Sequence, residues 1–129
     1  MGYEGGMPIG RLDVTAIDCP DARALAEFYR SVIGGELVEH PTSQDWVELH
    51  TEHGRLAFQQ IPDHRRPTWP GGDTPQQAHV DVSVDDLDAS EAAVLALGAQ
   101  KAEVQPSPED FRVFLDPAGH PFCLCACED

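Results

Sequence analysis

The feature that most constrains the fold of this chain is a repeat within its own sequence. Val14 and His79, Asp21 and Asp86, Trp46 and Phe111, and Gly54 and Gly119 are each 65 positions apart. A constant offset across a strand, a helix cap, a second strand and a turn points to internal duplication. In the first copy "RLDVTAID", residues 11–18, alternates as a strand. Pro20 and Asp21 then announce a helix, along which Leu25, Phe28, Tyr29 and Val32 recur at helical spacing until Gly34 and Gly35 stop it. "ELVEH", "DWVELHT" and "RLAFQQI" follow as three short strands. After the proline-rich stretch "PDHRRPTWPGGDTPQQ" the pattern restarts. "AHVDVSV" is a strand, Asp85 and Asp86 cap, "LDASEAAVLALG" is a helix ended by Gly98, and a short strand lies near "KAEVQ". "FRVFLD" and "PFCLCA" are the last strands, around the turn "PAGH". Phe28 corresponds to Ala93, and both are expected to face inward.

The fold class is therefore α+β, two tandem βαβββ modules in one domain. Residues 1–10 are expected to be a flexible tail, 11–61 module one, 62–77 a linker and 78–127 module two. Each module has one helix for one sheet, so the helices cover one face of each sheet and the other faces are left to enclose a concavity.

At 129 residues the chain can bury a core without disulfide staples. Cys123, Cys125 and Cys127 alternate along one strand, so they share a face without the geometry of a bond to one another. Reduced thiols and the absence of a signal-like or membrane-length apolar run lead to the expectation of a cytoplasmic protein with no membrane partner. Asp and Glu total 23 against 8 Lys and Arg, a formal charge of -15. Such a surface repels phosphate backbones, which excludes nucleic acid as a partner, and it steers cationic ligands inward.

The stretches "DVTAIDCPDARALAEFYRSVIGGEL", "QQAHVDVSVDDLDASEAAVLALGA" and "RVFLDPAGHPFCL", in this order and with the repeat, resemble the vicinal oxygen chelate superfamily, the glyoxalase, bleomycin-resistance and extradiol dioxygenase group. The resemblance is nearest the glyoxalase-like actinobacterial type. It implies a cupped mixed sheet, a homodimer and a small-molecule ligand. In the enzymatic members it also implies one divalent metal, with a His, Gln or Glu from the first strand and from a late strand of each module. Mapped onto this chain, the first-strand positions are His79 in module two and Val14 in module one, and valine cannot ligate. The late-strand positions are Cys123 in module two and, in module one, Phe58, or Gln59 if the strand slips by one residue. The metal candidates are His79, Cys123 and Gln59. Opposite a valine they make a degenerate site, so the expectation is no cofactor and a ligand-binding cup lined by Val14, Trp46, Phe58, His79, Phe111 and Cys123.

Other readings follow from the residues themselves. Cys123 reads as a small buried hydrophobe, with His79 the one neighbour that could activate it as a thiolate. Trp46, Glu48 and His50 share a strand face, and their counterparts Phe111, Val113 and Leu115 argue for packing there. Trp69 is expected to anchor the linker. The leading function is binding of an aromatic or cationic small molecule in the cup. Its rival is a metal-dependent lyase, isomerase or dioxygenase using His79, Cys123 and Gln59.

Overall fold

A computed structural model describes residues 7–126. Most of the expected tail, residues 1–6, and the last thiol, Cys127, lie outside the described residues. Module one consists of β1 (Thr15–Cys19), α1 (Ala22–Ile33), β2 (Glu36–Glu39), β3 (Trp46–Thr51) and β4 (Gly54–Gln60). Module two repeats it with β5 (Val80–Val84), α2 (Leu87–Ala96), β6 (Gln100–Lys101), β7 (Phe111–Leu115) and β8 (Pro121–Ala126).

Local chemistry sets the helix ends. Asp21 and Asp86 are extended N-cap residues whose carboxylates accept from the amides of Ala24 and Ala89, both at 3.0 Å. Helix α1 ends where Gly34 donates to the Arg30 carbonyl. Gly35 follows with φ of 101°, and a β-carbon there would meet the His50 carbonyl oxygen at 2.5 Å. Backbone sign and close approach both require glycine at that position.

The strands pair in the orders β1-β4-β3-β2 and β5-β8-β7-β6, with β1 parallel to β4 and β5 parallel to β8. These are two four-stranded mixed sheets, with β1 and β5 each an outer strand of its sheet. The helix-covered faces meet in one core. Tyr29 stacks on Phe58 at 5.7 Å and meets the edge of Phe122 at 6.0 Å, so α1 of module one packs on a ring from each sheet. Val94 is the buried residue of α2, and Ala93 is exposed; the inward partner of α1 in the repeat is therefore Val94, opposite Tyr29, and not Ala93 opposite Phe28.

The turn between β7 and β8 locks the modules together. Asp116, 1% exposed, accepts the Tyr29 hydroxyl at 2.6 Å on Oδ2 and the amides of Ala118 and His120 on Oδ1, both at 2.9 Å. His120 donates to the Asp18 carbonyl of β1, and linker residue His64 donates to the Ala118 carbonyl. Turn chemistry was legible around Asp116; its bond to α1 was not, because 87 residues separate the partners.

Candidate functional site

Strand alternation sorts each sheet into two faces. In module two Val82, Phe122 and Leu124 belong to the core, which leaves His79, Asp81, Phe111, Val113, Cys123 and Cys125 on the helix-free face. The parallel register pairs Asp81 with Cys123, and the antiparallel register pairs Val113 with Cys123 and Phe111 with Cys125. These side chains line a cavity of 310 Å³, closed from the linker side by Trp69 and Gln76. A second cavity, of 530 Å³, runs along β1 under the linker and shares His79, Gln76 and Pro121 with the first.

His79 and Cys123 are brought together, as the family resemblance implied. Asp81 joins them: its Oδ1 lies 2.9 Å from His79 Nε2, and one donor atom from each of the three residues lies within 4.8 Å of the others. The signal for Asp81 was present in the sequence, two residues after His79 on the same strand face, but its significance depends on the β5–β8 register. Burial pushes the Cys123 thiol up to about 12, and the neighbouring Asp81 carboxylate adds to the shift. This environment opposes a free thiolate, so Cys123 and His79 do not form an activated nucleophile pair.

Module one differs from the expectation. Phe58 is fully buried and stacks on Tyr29, on the helix side of its sheet, so it is no part of a cup. The reason is a change of offset. Four residues separate the paired His50 and Arg55, whereas five separate the paired Leu115 and Pro121. The 65-residue repeat of β1, α1 and β3 therefore becomes 66 in the last strand, and the counterpart of Cys123 is Ala57. Gln59 corresponds to Cys125; it lies beside Asp18 and Trp46 and lines neither cavity that contains His79. Val14 precedes β1, is half-buried and also lines neither cavity.

Trp46 shares its face with Glu48 and His50, and this group is polar instead of a packing surface. Trp46 Nε1 donates to Glu48 Oε2 at 2.8 Å, and His50 Nε2 lies 2.7 Å from Glu48 Oε1. Hydrogen bonds from His50 and then Trp46 hold the Glu48 carboxyl below the usual range. Phe111 lines the smaller cavity; Trp46 does not. Trp69 is half-buried and forms part of that cavity's wall.

Two βαβββ modules with helices on one side and a helix-free face on the other form the architecture that the family resemblance implied. The family model for the glyoxalase-like domain matches residues 14–125, and the chain belongs to that family. Among solved structures it is similar to a point mutant of the genomically encoded fosfomycin resistance protein FosX from Listeria monocytogenes, complexed with Mn(II) and 1S,2S-dihydroxypropylphosphonic acid. That likeness has 14% identity, a TM-score of 0.69 and 95% coverage of each chain. A hypothetical protein, SA1046, from S. aureus gives 17% identity and a TM-score of 0.66, with 95% of this chain and 100% of that one covered. A glyoxalase/bleomycin resistance protein from Albidiferax ferrireducens gives 14% and 0.64, with 91% and 98% covered. A comparison with curated proteins found no match. No described helix is long and apolar enough to cross a membrane.

The metal site implied by the resemblance needs a donor from the first and a late strand of each module. Module one presents Val14 and Ala57 there, neither of which can ligate, so the residues present do not fit that site.

Proposed function

We propose that this glyoxalase-like protein binds a small aromatic or cationic organic molecule on the helix-free face of module two, without the two-module metal site of its superfamily. The observation that carries this reading is the 310 Å³ cavity, walled by Trp69 and Phe111 and bordered by the exposed carboxylate of Asp81. Its size suits a compact ligand, and the two rings offer stacking and cation–π contact. The formal charge of -15 favours a cation and disfavours a phosphonate such as the one bound to the FosX mutant. The metal-dependent reading through His79, Cys123 and Gln59 has less support, since Gln59 stands apart from the other two. A homodimer accords with the outer edges of β1 and β5, which have no strand partner among the described residues. Light scattering should then give twice 14.1 kDa.

A thermal-shift screen of cationic antibiotics and aromatic amines tests the binding reading. A ligand held at about a hundred times its Kd adds roughly 2.7 kcal/mol of stability. Phe111→Ala is expected to weaken such a ligand about tenfold or more, since it removes one wall of the cavity. A screen in which no compound raises the melting temperature, or a ligand indifferent to Phe111→Ala, would overturn the proposal.

A further inference from the structure

The side chains that do not fit the superfamily's metal arrangement form a different one. We propose that His79, Asp81 and Cys123 are the ligands of a zinc site built within module two alone, with Gln76 at its fourth position. Three observations carry this inference.

The first is placement. His79 and Asp81 alternate onto one face of β5, and the parallel register sets Cys123 of β8 directly beside Asp81. Their donor atoms already lie within 4.8 Å of one another. Zn–N, Zn–O and Zn–S bonds of tetrahedral sites imply donor separations of roughly 3.3–3.8 Å, so only side-chain adjustment is required. The second is donor type. One imidazole nitrogen, one carboxylate oxygen and one thiolate sulfur suit zinc and are a poor match for magnesium, calcium or manganese, which prefer oxygen shells. The third is an orphan. Gln76 Oε1 is buried and accepts no hydrogen bond among the described residues, and Gln76 lines the same cavity as the three ligands. A buried amide oxygen without a partner is costly, and a cation or a water bound to it would satisfy that atom.

The proton balance is defined. Zinc takes a cysteine as its thiolate, so the Cys123 S–H proton has to leave when the metal binds. Binding forms the Zn–S bond, breaks the S–H bond and releases that proton to solvent. One proton is therefore displaced per zinc bound.

The test uses the full chain stripped with chelator and titrated with zinc alone, then with cobalt(II) as a spectroscopic substitute. One equivalent is expected to bind, with about one proton released, and the cobalt form should show a near-ultraviolet sulfur-to-metal band. Cys123→Ser should abolish that band, and His79→Ala and Asp81→Ala should each weaken zinc about 100-fold or more. Gln76→Ala should weaken it about tenfold, less than the other three, because a water can take the open fourth position. His53→Ala, in the exposed turn after β3, should change nothing. Absence of the band, its survival in Cys123→Ser, or zinc affinity indifferent to His79→Ala would overturn the site. Circular dichroism of each variant separates loss of ligand from loss of fold. This outcome is distinct from the organic-ligand screen, since the metal titration uses no organic compound.

Discussion

Asp116→Ala is expected to remove about 3 kcal/mol or more of folding stability, read as a lower denaturation midpoint in urea with an unchanged slope. The substitution strips one buried acceptor from three donors: the Tyr29 hydroxyl and the amides of Ala118 and His120. Each donor left buried without a partner costs about 1–3 kcal/mol. Asp116→Asn keeps an acceptor oxygen for the turn amides and should recover much of the loss. Tyr29→Phe removes only the bond from α1 and should cost about 1–3 kcal/mol. If Asp116→Ala unfolds at the wild-type midpoint, the turn does not lock the modules.

The same group gives the sign of an alkaline effect. Burial first, and then the Asp116 carboxylate, push the Tyr29 hydroxyl well above the ordinary tyrosine range. Burial likewise pushes Cys19 up to about 11 and Cys123 up to about 12. Each group binds its proton more tightly when folded, so its contribution is complete below the unfolded pKa and falls as pH rises toward the folded one. Stability should therefore decline above roughly pH 9, where unfolded thiols and then phenols ionise. Tyr29→Phe should make that decline shallower.

The second large effect is expected at Phe122. This ring of β8 is fully buried and touches Phe28 at 5.7 Å, Tyr29 at 6.0 Å and Phe114 at 5.8 Å, so one module-two side chain meets two rings of α1. Phe122→Ala should cost about 3–5 kcal/mol through lost transfer energy and an unfilled cavity. Since the ring joins the two modules, the variant should also lose cooperativity, with fluorescence from Trp46 of module one, read in a Trp69→Phe background, and far-ultraviolet dichroism no longer reporting a single transition. A single coincident transition with less than about 1 kcal/mol lost would show that module packing does not depend on this ring.

Much of the fold could be read along the chain. Asp21 and Asp86 marked the helix starts because an N-cap acts on amides three residues away. Leu25, Phe28 and Tyr29 marked the buried stripe of α1 because helical period is a local property. Helix α2 was less legible on its inner side: Ala93 and Val94 are both apolar, and the neighbouring sheet selects Val94. The site was legible in part. His79 and Cys123 could be paired from the family resemblance, whereas Asp81 and Gln76 acquire meaning only from what lies across the sheet and under the linker.

The sequence by itself determined the two βαβββ modules, their order and their family membership, since period, capping and turn chemistry act over a few residues and the duplication repeats them. The tertiary structure alone decided which side chains share the site. One additional residue between β7 and β8, relative to β3 and β4, turns the counterpart of Cys123 from Phe58 to Ala57. Because successive strand residues point to opposite faces, that single residue turns the matching position from the core face to the helix-free face. The side chains that module one places at the metal position, Val14 and Ala57, cannot ligate, which leaves His79, Asp81 and Cys123 as a cluster of module two alone.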